Sequence, residues 1–141
     1  MKYQCEIILN CPLKKVEELF LNYELMPSWQ QGLGKIEPLN EIELGKTGSS
    51  SLFHYHFGQS KMVMKETIEL NEMPHQLIQI YEVIEDAWNR CVNHFLEEDN
   101  KVKWILESEF KFKEDKNIPL EAFINKTKAS MEVFKVFVEK Y

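Results

Sequence analysis

The C-terminal segment Pro119–Tyr141, with the sequence PLEAFINKTKASMEVFKVFVEKY, decides the fold of this chain. It contains no glycine and no internal proline, and its apolar residues recur every three or four positions. This spacing predicts a helix of about six turns with one apolar side. That side carries Leu120, Ile124, Thr127, Met131, Phe134 and Val138, with Phe123 and Phe137 beside it.

The chain before this helix is a succession of short segments rich in β-branched and aromatic residues. Such segments predict strands, and the Gly, Asn and Asp residues between them predict tight turns. The predicted strands are 3–9, 35–44, 50–57, 61–70, 76–84, 88–97 and 102–112. A helix is expected after Pro12, and a second short helix over 25–31. Strands followed by one long helix indicate the α+β class, in which that helix covers one face of a seven-stranded antiparallel sheet.

Composition limits the possible functions. The length of 141 residues suits one domain, 1–141. The net charge of −6, with Arg90 as the sole arginine, argues against nucleic-acid binding. No apolar run approaches the length of a membrane span, so no stable membrane insertion is expected. Three cysteines without CxxC spacing predict free thiols in a reducing cytoplasm, and neither a metal nor a cofactor is expected.

Several short motifs resemble the SRPBCC superfamily of START-like and Bet v 1-like domains. They are Cys11-Pro12-x-x-x-Val16-x-x-x-Phe20, Leu25-x-Pro27-x-Trp29, the glycines Gly45 and Gly48, and Val102-Lys103-Trp104 followed by Phe110-Lys111-Phe112. The last of these resembles the polyketide cyclase/dehydrase branch. The resemblance implies a helix-grip fold, in which a curved sheet wraps the long helix and encloses an apolar cavity.

The hairpin around Gly58 allows a prediction of which side chains face the helix. A two-residue turn at Gln59-Ser60 places Phe57 opposite Met62, Tyr55 opposite Met64 and Phe53 opposite Glu66. The concave face then carries Phe53, Tyr55, Phe57, Met62, Met64, Glu66, Ile68 and Leu70, followed on the next strand by Ile78, Ile80, Glu82 and Ile84.

The strand 88–97 has two possible facings. A two-residue turn at Glu85-Asp86 places Asn89, Cys91, Asn93 and Phe95 inside. A three-residue turn places Trp88, Arg90, Val92, His94 and Leu96 inside. The second is preferred because it offers Arg90 and His94 as partners for the carboxylates.

Glu66 and Glu82 are the main candidates for chemistry, because a carboxyl group on an apolar face has a raised pKa and suits general acid–base work. Arg90 could hold a ligand oxygen through its bidentate guanidinium group. Tyr55 joins these three as a candidate for proton transfer. His54 and His56 point the same way but lack a third metal ligand, so a solvated outer face is the expected role.

The sequence therefore predicts a protein that binds a small hydrophobic molecule, such as a lipid, an isoprenoid or a polyketide-like aromatic. A polyketide cyclase/dehydrase-type enzyme and a chaperone-activator-like interaction domain are the alternatives. The chain is expected to be a monomer or a weak homodimer. The predicted ligand-binding residues are Trp29, Phe53, Tyr55, Phe57, Met62, Met64, Glu66, Ile80, Glu82, Arg90, Trp104, Phe123, Thr127, Met131 and Phe134.

Overall fold

The computed structural model describes residues 1–141 and confirms the predicted order of elements. The helices are α1 (Leu13–Leu19), a single 3-10 turn (Met26–Ser28) and α2 (Leu120–Lys140). The strands are β1 (Lys2–Leu9), β2 (Leu33–Pro38), β3 (Ser50–Phe57), β4 (Ser60–Glu72), β5 (Gln76–Val83), β6 (Ala87–Glu98) and β7 (Lys101–Phe112). The strands form one antiparallel sheet in the order β1-β7-β6-β5-β4-β3-β2, so the α+β class is confirmed.

Two elements are shorter than the sequence predicts. The second helix is one 3-10 turn, with Pro27 at its start and Gly32 beyond it at a φ of 81°. The strand β2 ends at Pro38 because the next residues turn away from the sheet. In that turn the Asn40 side chain accepts a hydrogen bond from the Ile42 N–H and donates one to the Gly48 carbonyl.

The β3–β4 hairpin differs from the predicted register by two residues. Its turn is Gly58-Gln59, and Gly58 adopts the positive φ of 65° that a tight turn requires. Phe57 therefore pairs with Ser60, and Tyr55 pairs with Met62. Because side chains alternate with a period of two, this shift leaves each residue on its predicted face. It does move Glu66, which lies opposite Ser51 rather than Phe53.

An irregularity in β4 overturns the predicted facing of the next strands. Ile68 pairs with Gln79 and Leu70 pairs with Ile78, so Glu69 is an extra residue in a β-bulge. The bulge exchanges the two faces of β4 beyond Ile68. Leu77, Gln79 and Tyr81 consequently share the concave face with Glu66. The prediction was wrong for Leu70, Ile78, Ile80 and Glu82, which lie on the convex face, and Ile84 lies exposed in the following turn.

The same bulge decides the facing of β6. Val83 pairs with Ala87, so the turn contains three residues, as preferred from the sequence. The preferred inward set was nevertheless wrong, because β5 itself faces the other way. Arg90 pairs with Ile80 on the convex face, which also carries His94. The inward residues of β6 are Asn89, Cys91, Asn93 and Phe95.

Aromatic rings fill the space between the sheet and the C-terminal half of α2. The Phe20 ring at the end of α1 meets the rings of Phe95, Trp104 and Phe134 edge-on, at centroid distances of 5.0, 5.2 and 5.1 Å. Phe134 is fully buried, and so is Val138 one turn later. We call this region the aromatic core; it fixes α2 and α1 against the sheet.

Replacement of Phe134 by Ala is expected to lower the free energy of unfolding by about 3–5 kcal/mol, because the variant leaves a cavity at the centre of the aromatic core. Urea denaturation measures this loss. Val136 lies on the same helix with 50% of its surface exposed, and Val136→Ala should change stability by less than about 0.5 kcal/mol. Equal losses in the two variants would contradict the assigned packing of α2.

Candidate functional site

The concave face has an open end, where the β3–β4 and β5–β6 hairpins meet. Helix α2 begins beside β1 and β7 rather than over the centre of the sheet. The Tyr3 hydroxyl lies 2.7 Å from the Thr127 hydroxyl, and the Phe123 ring lies 5.0 Å from that of Phe110. The concave side chains at this end are therefore only half-buried. They are Met62, Met64, Tyr81, Val83, Asn89, Phe110 and Phe112, and we call this set the open end.

A buried carboxyl group lies at the inner limit of the open end. Glu66 has an exposure of 1%, and both of its carboxyl oxygens are engaged. The Tyr23 hydroxyl donates to Oε1 at 2.6 Å, and the Tyr81 hydroxyl donates to Oε2 at 2.8 Å. The Gln79 side-chain amide donates to Oε2 at 3.3 Å. We call these four residues the Glu66 cluster; every donor in it comes from the protein itself.

Hydrogen bonds continue from this cluster across the sheet. The Asn93 amide donates to Gln79 Oε1 and to the Leu77 carbonyl, both at 3.1 Å. Trp104 Nε1 in turn donates to Asn93 Oδ1 at 3.0 Å. A chain of polar side chains therefore crosses β4, β5, β6 and β7 inside the molecule. Buried polar groups are tolerated when each finds a partner, and this network meets that condition.

Burial dominates the electrostatics of the cluster. It raises the pKa of the Glu66 carboxyl above its ordinary value, although the donors from Tyr23, Tyr81 and Gln79 act in the opposite direction. Burial and the nearby Glu66 carboxyl also raise the pKa of the Tyr23 phenol. Burial also raises the pKa of the Cys91 thiol to about 12. At such a pKa the thiol stays protonated at neutral pH and is not a nucleophile.

The segment Asn22–Gln30 closes the side of this interior. Tyr23 fixes its first half to Glu66, and the Tyr55 hydroxyl donates to Gln30 Oε1 at 2.7 Å near its end. Met26 is buried between these points, in a second apolar cluster with Leu33, Phe53 and Tyr55. Partly buried Met62 and Met64 pack against that cluster, as does Trp29. The Trp29 ring also lies 4.8 Å from the Phe134 ring, so this tryptophan joins the two apolar clusters.

The structure separates the residues proposed for chemistry. Glu66 faces the interior, whereas Glu82 pairs with Lys65 on the convex face. The Arg90 guanidinium group is also convex and forms a two-pronged ion pair with Glu69, at 3.3 Å from Nε and 2.8 Å from Nη2. The two carboxylates and the arginine are therefore not brought together, and Ile80 is likewise excluded from the interior.

The other predicted ligand residues lie between the sheet and the helices, as expected. Most of them belong to the packed interior, including the aromatic core around Trp104, Met131 and Phe134. The predicted enclosed cavity is filled in that region. Of the predicted ligand residues that are only partly buried or exposed, Met62, Met64 and Phe57 lie at or beside the open end.

The sequence placed Tyr23 near the mouth of the predicted cavity beside Trp29, but it did not identify Tyr23, Gln79 and Tyr81 as the partners of Glu66. Tyr23 follows α1 in an irregular segment, where no periodicity assigns a direction to a side chain. Gln79 and Tyr81 alternate with Leu77 at strand spacing, so their common facing was readable. The choice between the two faces depended on the bulge at Glu69, which no glycine or proline marks.

Two of the histidines lie beside carboxyl groups. His54 lies 3.1 Å from Glu37, and His94 lies 3.3 Å from Glu107. No group of three His, Cys, Asp or Glu side chains is placed to hold a metal ion. None of the helices is both long and apolar enough to cross a membrane.

Two hollows of the outer surface lie apart from the open end of the sheet. One, of about 520 Å³, lies along α2 and is lined by Ser28, Val133, Val136, Phe137, Lys140 and Tyr141. The other, of about 420 Å³, lies beside Arg90 and the β1–β7 edge. Neither includes a residue of the open end or of the Glu66 cluster, so both are separate from the candidate site.

Solved structures share this fold. Ara h 8.0201 superposes with a TM-score of 0.82 at 14% identity, covering 100% of this chain and 99% of that one. Major latex-like protein 151 from Panax ginseng gives a TM-score of 0.74 at 14% identity, over 97% and 96% of the two chains. An uncharacterised Rhizobium leguminosarum protein gives 0.73 at 14% identity, over 100% and 98%. No family model and no curated protein sequence matches the chain. At these identities the likeness shows the fold, and the Bet v 1-like helix-grip architecture is confirmed.

The raised pKa of Glu66 predicts how stability depends on pH. The carboxyl has a pKa of about 4.3 in an unfolded chain and a higher one in the folded protein, so the folded state binds this proton more tightly. This tighter proton binding stabilises the fold fully below the pKa of the unfolded chain, and the stabilisation is lost as pH rises towards the pKa of the folded protein. Relative to Glu66→Gln, the wild-type chain should lose up to about 1.4 kcal/mol per pH unit in that window.

Urea denaturation of both proteins at a series of pH values measures this difference. Glu69→Gln is the control of opposite sign. The hydrogen bond from Arg90 lowers the pKa of Glu69, so this carboxylate stabilises the fold above its unfolded pKa and loses that effect as pH falls. A wild-type stability that runs parallel to that of Glu66→Gln at every pH would show that the Glu66 carboxyl is solvated.

Proposed function

We propose that this Bet v 1-like chain binds a small, neutral, hydrophobic molecule at the open end of the concave face. The observation that carries the proposal is the set of half-buried side chains there, which α2 covers only at one edge, where Phe123 packs against Phe110 and Phe112. Five of the seven side chains are apolar: Met62, Met64, Val83, Phe110 and Phe112. A concave, mainly apolar surface with a few polar groups is the usual form of a small-molecule site.

The methionines suit this role for a physical reason. Met62 and Met64 have unbranched, flexible side chains, and they lie between the packed second cluster and solvent. Such side chains adjust to ligands of different shape at low energetic cost. The site is therefore expected to select ligands by size and apolar surface more than by shape.

The Glu66 cluster supports a neutral ligand. A carboxyl group lies at the inner limit of the site, the chain carries a net charge of −6, and the sole arginine lies on the other face. An anionic ligand would meet a carboxyl group in a region of low dielectric with no arginine to compensate its charge. Free fatty acids are therefore expected to bind less well than uncharged molecules of equal length.

Proton transfer by Glu66 is a second candidate, favoured by its raised pKa and its contact with two phenols. Among the other residues predicted for catalysis, Tyr55 remains on the same face, and Glu82 and Arg90 do not. An enzymatic role predicts that Glu66→Gln still binds ligand but loses turnover, because an amide cannot exchange the proton. Assays with a linear polyketide mimic, compared with binding of the same compound, distinguish the two functions.

The cellular setting remains the one expected from the sequence, the cytoplasm. Cys5, Cys11 and Cys91 are free and buried, which agrees with a reducing compartment. A monomer or weak homodimer is likewise part of the proposal.

Blocking the open end tests the proposed function. Met64→Trp places an indole ring in the site and should weaken binding of the neutral fluorescent probe N-phenyl-1-naphthylamine by about tenfold, which corresponds to about 1.4 kcal/mol. Probe titration followed by fluorescence measures the dissociation constant. Native mass spectrometry of the freshly purified protein shows whether a natural ligand is retained.

Val63→Trp is the matched control, because Val63 is the neighbouring residue of β4, points to the convex face and is 41% exposed. This variant should bind the probe as the wild-type chain does. Equal binding by both variants would place the probe elsewhere and contradict the proposed site.

A further inference from the structure

Trp29 carries a hydrogen-bond donor for which the protein supplies no acceptor. Its Nε1 atom is buried and has no partner. The comparison with Trp104 is direct, because both rings pack against Phe134, at 4.8 and 5.6 Å, and the Trp104 N–H donates to Asn93. A buried donor without a partner destabilises a fold, and such groups are few in native proteins.

Several polar groups around the second cluster are already hydrogen-bonded to one another. Gln30 Oε1 accepts from the Tyr55 hydroxyl, and the Tyr23 hydroxyl donates to Glu66. The carboxyl oxygens of Glu66 receive donors from the sheet as well. The Trp29 N–H takes no part in these hydrogen bonds.

Trp29 and the open end are linked through one apolar cluster. The Trp29 ring packs against the second apolar cluster, against which Met62 and Met64 of the open end pack too. The segment that carries Trp29 is irregular apart from one 3-10 turn, and its polar side-chain contacts with the sheet are those of Tyr23 and Gln30. A ligand lying on the two methionines therefore meets the same apolar cluster against which the indole ring packs.

We propose that the Trp29 indole N–H is the specificity-determining donor of the site, and that the ligand is an apolar molecule bearing a neutral acceptor oxygen, such as a ketone. This inference rests on the proposed function and adds the chemical class of the ligand. Tryptophan can only donate, so a ligand hydroxyl group must bind through its oxygen lone pair. A carboxylate would also accept, but the Glu66 carboxyl and the negative net charge disfavour it.

Two probes of nearly equal shape test the proposal. 2-Acetonaphthone has a carbonyl oxygen where 2-isopropenylnaphthalene has a methylene group. Trp29→Phe should weaken binding of the ketone by about tenfold, the usual effect of losing one buried hydrogen bond, and change the affinity for the hydrocarbon by a much smaller factor. Displacement of N-phenyl-1-naphthylamine measures both affinities. Trp88→Phe, the same substitution on the convex strand face, should affect neither probe.

A second measurement uses the wild-type chain and decides the question even if Trp29→Phe does not fold. The three tryptophans give three indole N–H signals in a ¹⁵N–¹H spectrum. The ketone should shift the Trp29 signal downfield by hydrogen bonding, and the hydrocarbon should not.

The outcomes separate this inference from the function on which it rests. If both probes bind and Trp29→Phe weakens them equally, with no selective shift of the indole signal, the Trp29 N–H does not contact the ligand and the inference is overturned while the binding function stands. If neither probe binds the wild-type chain, the proposed function itself fails at this site.

Discussion

The burial of the Glu66 carboxyl group imposes the strictest demand in this molecule, since an unpaired carboxyl in an apolar interior costs several kcal/mol. Three donors meet the demand, and they come from parts of the chain that are far apart in sequence. Tyr23 lies between α1 and β2, and Gln79 and Tyr81 lie on β5, the strand that follows the one carrying Glu66. The carboxyl thus ties the segment after α1 to the centre of the sheet.

That arrangement depends on the bulge at Glu69. Without the extra residue, β5 would present Ile78, Ile80 and Glu82 to the interior, and Glu66 would face a second carboxylate instead of a phenol and an amide. The bulge also brings Glu69 and Arg90 together on the convex face, where solvent screens the pair. One added residue therefore places Glu82 and Arg90 on the face of the sheet opposite to Gln79 and Tyr81.

The limits of sequence-based prediction follow from the same feature. Periodicity predicted α2 and its buried residues, because a long amphipathic helix repeats its signal over several turns. The face of β3 and the first part of β4 was also predicted, even though the hairpin register was two residues out. The facing of Glu82 and Arg90 was not predicted correctly. The bulge at Glu69 contains no glycine, so the sequence pattern gives no sign that the two faces exchange there. The contact of Tyr23 with Glu66 was not predicted, because its partner lies more than 40 positions away in the chain.

The inner surface also has two parts with different mutational tolerance. In the aromatic core the Phe20 ring contacts the rings of Phe95, Trp104 and Phe134, so substitutions there disturb several neighbours at once. At the open end, side chains such as Met62 and Phe112 contribute less buried surface, and their replacement removes less stability. Selection can therefore alter the recognition surface while the folded state is maintained by residues elsewhere. In evolutionary terms, the uncovered half of the sheet is the region where new specificities can arise without loss of the scaffold.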